Sequence, residues 1–203
     1  MRNLFLLWLA LISPATAAEH STALLDALRQ GGLVLFFRHA ETGSAAPDQA
    51  HAVIGQCETQ RNLSAEGRAQ AIAIGAQMRA LEIPVSQVLA SPFCRTMETA
   101  SLAFGRADAA PALSLPRHTG DAQADHAMGE ALRGLIPDRL PAGTNLILVG
   151  HSYHLLAIGG PRLEPQGSIA VLRPTGNGDM TLLATLSPRD WAGLAERQLA
   201  LAP

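Results

Sequence analysis

The stretch that most constrains this chain runs Leu33-Val34-Leu35-Phe36-Phe37-Arg38-His39-Ala40-Glu41-Thr42. An apolar run with β-branched and aromatic members predicts a short, fully buried strand. Strands buried on both faces belong to parallel sheets covered by helices. This one stops abruptly on a guanidinium and an imidazole. In open α/β sheets ligands bind beyond the carboxyl ends of the strands, so Arg38 and His39 stand where chemistry is expected. Arginine offers a rigid fork of donors for phosphate or carboxylate oxygens, and histidine can act as nucleophile or proton carrier near neutral pH.

The N-terminus reads as a processing segment. Arg2 supplies positive charge, Leu4 to Ile12 are apolar, Pro14 breaks the run, and Ala15-Thr16-Ala17 offers small residues for cleavage. The expectation is a signal peptide over residues 1–17, too short for an ordinary membrane span, and a periplasmic or secreted mature chain over residues 18–203. The mature chain is expected to form one domain without a membrane span. A formal charge of −2 and an aromatic content of 4% argue against nucleic-acid binding by bulk charge or by stacking. No lysine occurs anywhere, which excludes Schiff-base chemistry and a Walker-type phosphate lysine.

Along the chain, helices are predicted over 21–30 (Ser21 as cap), 65–81 (Ser64 as cap), about 96–104, 125–136, and from Pro188 with Ser187 as cap. Strands are predicted over 83–90, around 112–115, and over 146–149. Two more, 168–172 and 180–186, flank an Asn177-Gly178 hairpin turn. Gly43 to Thr59 reads as a long loop of the kind that carries function. Three of the strands end in Arg38-His39, in Ser91-Pro92-Phe93-Cys94-Arg95 and in His151. As neighbours in a parallel sheet they would bring two guanidiniums and two imidazoles to one edge. Such a cluster is costly without an anion, and a phosphoryl dianion supplies one.

These segments resemble the histidine phosphatase superfamily, with its phosphoglycerate-mutase-like fold. The resemblance rests on Arg38 to Thr42, on Leu63-Ser64-Ala65-Glu66-Gly67-Arg68-Ala69-Gln70-Ala71, on Ser91 to Ala100, and on Val149-Gly150-His151, in the family's order and spacing. Glu41 and Thr42 after the histidine favour the branch of mutases and small phosphatases. The implied fold is a three-layer α/β/α sandwich around a mostly parallel mixed sheet.

The implied function is phosphomonoester hydrolysis. His39 would be the nucleophile, Arg38 and Arg95 would hold the equatorial oxygens, and a protonated His151 would stabilise the spreading charge. Arg61, Asn62, Glu41 and Ser91 would extend the substrate site. No metal or other cofactor is needed, and the partner is a small phosphorylated substrate.

The chain departs from the family pattern at the general acid. The glutamate-rich stretch after the second arginine is replaced by Arg117 to His126, leaving Asp121, Asp125 or Glu41 as candidates. Family members acting on phosphohistidine can lack the acid, since a phosphoramidate leaving group needs less help. Small exported members include a phosphatase of lipopolysaccharide-core heptose phosphate, which this chain resembles in size and address. The alternative class is a non-catalytic phosphate-binding module, against which the intact His39 stands. His151 and His154 stand at helical spacing but lack a third metal ligand nearby, and His51, His118 and His20 read as loop or terminal residues. Finally, Cys57 and Cys94 are the two cysteines of an exported chain, one ahead of Arg61 and one beside Arg95, and a disulfide between them is expected.

Overall fold

The computed structural model describes residues 17–43, 51–116 and 121–200. Residues 1–16, which hold most of the expected signal peptide, and Arg117 to Gly120, which include His118, lie outside the described residues. One six-stranded sheet carries the fold, with strands β1 (Val34–Arg38), β2 (Val85–Ala90), β3 (Asp108–Ala109), β4 (Asn145–Gly150), β5 (Ile169–Gly176) and β6 (Asp179–Leu186). Their spatial order is β3-β2-β4-β1-β5-β6. The pairs β2·β3, β2·β4 and β1·β4 are parallel, whereas β5 runs antiparallel to both β1 and β6. The sheet is therefore mixed and mostly parallel.

Strand β1 is central. Val34 pairs with Leu146 and Arg38 with Gly150 on one side, and Phe37 pairs with Ile169 on the other. Its alternation divides the core in two. Leu35 and Phe37 face a cluster with Ile147 and Val149, covered by helices α1 (Ala17–Gln30), α2 (Ala65–Ala80), α3 (Cys94–Phe104) and α6 (Pro188–Ala200) through Leu28, Met78, Ala100 and Trp191. Val34 and Phe36 face the opposite cluster with Leu146 and Leu148, covered by α4 (Ala122–Arg133) and α5 (Ser152–Ala157) through Leu132 and Leu155. Helices on both faces of the sheet complete the three layers.

Local chemistry accounts for most boundaries. Ser64 caps α2 by accepting from the Gly67 amide at 2.9 Å. Ser187 and Asp190 close a reciprocal capping box at the start of α6. Asn177 and Gly178, both at positive φ, turn β5 into β6. Gly67 is required for another reason: a Cβ there would lie 2.0 Å from the Glu41 carbonyl oxygen, so α2 abuts the loop leaving β1 backbone to backbone.

Four expectations fail. The strand around 112–115 is absent; Asp108–Ala109 pairs instead, and Pro111–Leu113 forms a 3-10 turn, because Pro111 has no N–H to give a ladder and sets the φ of a helical turn. Helix α4 starts at Ala122 and ends at Arg133, earlier than the expected 125–136, because the Asp121 carboxylate accepts from the Gln123 and Ala124 amides and so caps it upstream. Ser21 lies inside α1 and not at its cap position, because helical residues Ala17 to His20 precede it. Helix α3 begins at Cys94 rather than Thr96, so Arg95 sits in its first turn.

Candidate active site

The parallel run β2-β4-β1 aligns three carboxyl ends at one edge of the sheet. The His39 amide donates to Gly150 O at 3.0 Å, and the Ser91 amide to Val149 O at 2.9 Å, so the three exits are stitched together by backbone. His39, Arg95 and His151 are all buried there, at 3%, 1% and 3% exposure. The rings of His39 and His151 meet edge to face with centroids 5.5 Å apart. Arg95 lies over the Phe93 ring at 4.7 Å, and its Nη2 is 3.3 Å from His151 Nδ1.

Hydrogen bonding sets the tautomers. His39 Nδ1 is 2.8 Å from the Ala40 carbonyl, which can only accept, so Nδ1 carries the hydrogen and Nε2 keeps its lone pair. Around His151 the logic reverses. Arg95 can only donate, so Nδ1 accepts, and Nε2–H donates to Ser91 Oγ at 3.1 Å. Both rings are thereby neutral.

Electrostatics agrees. Burial, then the Arg95 charge, pushes His39 down to about 3, with Arg38 and Arg61 adding to the effect and the Ala40 carbonyl opposing it. Burial, Arg95, His39, His154 and Arg61 hold His151 well below the ordinary histidine range. The Arg95 guanidinium is itself lowered to about 10 by burial and by Arg61. His151 is thus neutral here, whereas the sequence reading has it protonated in the reaction, because burial and four positive or ionisable neighbours oppose a further charge. Its proton has to come with an anion.

Arg61 is exposed, yet its charge acts on His39, Arg95 and His151 alike, which brings the loop before α2 into the site. That loop is fastened to α3. Cys57 and Cys94 are joined by a disulfide with Cα atoms 5.7 Å apart. Gln60, buried, accepts from the Cys94 amide at 2.9 Å and donates to Val53 O, while Asn62 Nδ2 donates to Cys57 O at 2.7 Å. Asn62 therefore braces the Cys57–Thr59 turn. Ser91 lies against His151 Nε2, one step removed from where His39 would attack.

His39, Arg95 and His151 come together, and the Arg38 charge reaches His39 from the neighbouring cleft; the acid candidates divide. Asp121 caps α4 through one carboxylate oxygen, Oδ1, which accepts from the Gln123 and Ala124 amides. Asp125 lines a depression of about 400 Å³ with His126, Tyr153 and Leu156. Glu41 lines a larger cleft of about 720 Å³, shared with Arg38, Gln70, Glu164, Gln166 and Arg189. His154 is buried beneath His151, with stacked rings 5.7 Å apart, and burial lowers it to about 4 against the pull of the His151, Leu113 and Ser114 carbonyls. Among the described residues no group of three or more His, Cys, Asp or Glu is placed to hold a metal ion, and no helix is long and apolar enough to cross a membrane.

Sequence reasoning missed the segment Leu163 to Ser168, which crosses the site. Gly167 N donates to His39 O at 3.0 Å, Gln166 Oε1 accepts from the Thr42 amide at 2.8 Å, and Gln70 Nε2 reaches Gln166 O at 3.3 Å. The Pro165-Gln166-Gly167 run signals a turn and nothing about its partners, all far away in sequence. Gln60 was missed for a similar reason: an isolated amide in a loop carries no periodic signal.

Comparison with known proteins agrees with this geometry. A family profile described as histidine phosphatase superfamily (branch 1) matches residues 34–117. Among solved structures, the protein histidine phosphatase SixA complexed with tungstate aligns with a TM-score of 0.52 at 17% identity, covering 78% of this chain and 98% of that one. Phosphoserine phosphatase from Entamoeba histolytica, in complex with 3-phosphoglyceric acid, aligns with a TM-score of 0.54 at 13% identity, covering 76% of this chain and 96% of that one. At such identities the likeness is one of fold. No curated protein matches the chain in sequence.

Proposed function

We propose that the chain is a histidine phosphatase, the superfamily whose profile matches residues 34–117, and that it is an exported phosphomonoesterase working through a phosphohistidine on His39. The observation that carries the reading is the Nδ1–H bond of His39 to Ala40 O, which leaves the Nε2 lone pair beside Arg95 and His151. In the reaction Nε2 attacks phosphorus in line, the P–N bond forms, and the P–O bond to the leaving group breaks. Arg38, Arg61 and Arg95 stabilise the equatorial oxygens. The anion's charge raises the affinity of His151 for a proton, so the imidazolium forms only when it is useful. Water then attacks the phosphohistidine, releasing phosphate and regenerating His39. Export is supported by the apolar run Leu4 to Ile12 with its small-residue exit and by the Cys57–Cys94 bridge. One domain over residues 18–203 fits this reading.

A second reading of the substrate has one observation in its favour. With Asp121 engaged as a cap, a phosphoramidate such as phosphohistidine, whose nitrogen leaves without strong acid help, suits the site. The substrate of SixA is of that kind by its name. Asp121→Asn keeps the cap, since asparagine caps equally well, and so tests the acid role alone. A fall on alkyl phosphates without a fall on aryl phosphates would return Asp121 to that role.

The central experiment is rapid quench with a ³²P-labelled phosphomonoester. Wild type should trap an acid-labile, base-stable phosphoenzyme, and His39→Ala should lose turnover by at least about 10³-fold and lose the label. Label retained in His39→Ala would remove the nucleophile assignment.

A further inference from the structure

The first arginine of the site is not loose. Arg38 Nη1 lies 2.6 Å from Glu164 Oε2 and donates to the Leu163 carbonyl at 2.8 Å. A terminal guanidinium nitrogen carries two hydrogens, so two oxygens saturate Nη1 and leave the Nε–Nη2 edge for another bidentate partner. The acceptors are themselves held: Ser152 Oγ donates to the same Leu163 carbonyl at 2.9 Å, and Arg38 N donates to Ser168 O at 3.0 Å. Ser152 directly follows His151, so this clamp is anchored to the strand end that supplies the second imidazole. The Arg38 side chain is 15% exposed and that of Glu164 54%, which makes Glu164 a solvated hand gripping a half-buried cation.

We propose that Glu164 is a positioning residue: it fixes Nη1 of Arg38 so that the Nε–Nη2 edge is presented to the phosphoryl oxygens. The proposal rests on the reading of this site as a phosphoryl site. It also runs against a simpler expectation, that an acid beside the arginine competes with the anion. The fork geometry decides between the two. A competitor would occupy the edge the phosphate needs, whereas Glu164 and Leu163 O share one nitrogen and leave a complete edge over. Preorganising an arginine in this way improves binding by removing the cost of ordering it afterwards.

The test measures binding of inorganic [³²P]phosphate to the full chain by equilibrium dialysis, alongside p-nitrophenyl phosphate kinetics. Glu164→Ala should weaken phosphate binding and raise KM about five- to tenfold with kcat within about twofold. Glu164→Gln, which keeps an acceptor oxygen without the charge, should restore both to within about twofold. In an Arg38→Ala background the Glu164→Ala change should have no further effect, since the residue acts through Arg38. Tighter phosphate binding in Glu164→Ala, or the same loss with and without Arg38, would overturn the assignment. Because dialysis needs no turnover, a wild-type chain that binds phosphate but hydrolyses nothing would defeat the phosphatase reading while leaving the role of Glu164 measurable.

Discussion

His151 shows how much one side chain can change between two occupancies of the same site. Arg95 donates to its Nδ1, so an approaching phosphoryl dianion must both draw Arg95 toward itself and supply the charge that lets His151 take a proton. Binding should therefore be linked to proton uptake. Titration calorimetry of inorganic phosphate in buffers of different ionisation enthalpy is expected to show net proton uptake even where the ligand is already largely dianionic. His151→Gln should abolish it; uptake that persists in that variant would assign the proton elsewhere. The acid limb of kcat/KM should then follow substrate protonation near pH 6 and not His39, which is held down at about 3. At this scale the sequence was informative about His39, Arg38, Arg95 and His151, because each stands at the end of an apolar run. It was silent on Glu164 and Gln60, whose roles come from contacts 126 and 34 residues away in sequence, from Glu164 to Arg38 and from Gln60 to Cys94.

Among elements, the fastening of the Cys57–Thr59 turn onto the first residue of α3 has the clearest consequence. The bridge spans a sequence separation of 37, for which the chain-entropy relation gives about 4 kcal/mol of stabilisation. The Cys57→Ser/Cys94→Ser double variant should lose about that much in urea unfolding. Its KM should rise as well, because Arg61 and Arg95 sit on the two tethered pieces. A drop in stability with unchanged KM would separate the bridge from the site. The strands that were legible beforehand were the five longer ones, whether buried throughout like β1 and β4 or partly exposed like β2 and β6; β3 was misplaced because two residues at a sheet edge leave almost no hydrophobic signature, while the Pro111 turn beside it buries Leu113 and so resembles one. The start of α4 moved because a cap is decided by which amide a side chain can reach, and Asp121 reached two.

For the whole molecule, three buried neutral imidazoles set the response to acid. His39 and His154 are held at about 3 and about 4, and His151 well below its ordinary value, each chiefly by burial. A histidine depressed in the folded state binds its proton more readily when the chain is unfolded. Stability is therefore complete above pH 6.5 and falls as pH drops below it, until the folded-state values are passed. Each group contributes about 1.4 kcal/mol per pH unit in that window. His39 and His154 together should remove about 3 kcal/mol between pH 6.5 and 5. Urea titrations across that range check this, and His154→Gln should flatten the slope by about one third; a flat profile would mean that the folded chain takes up protons on these imidazoles as readily as the unfolded one.

The placing of β1 also governs the order in which the chain can become itself. The strand that ends in His39 finds its two partners only at Leu146 to Gly150 and at Ile169 to Leu172. For most of synthesis it has nothing to pair with, and local helices can form around a centre that is not yet there. Contacts this remote close late and slowly, since a long loop must be ordered before any of them rewards it. A chain arrested before the fourth strand would carry a bare apolar segment and no assembled chemistry. Competence thus arrives all at once near the end of synthesis, and the nucleophile stays inert until the strands that flank it, β4 and β5, have both emerged.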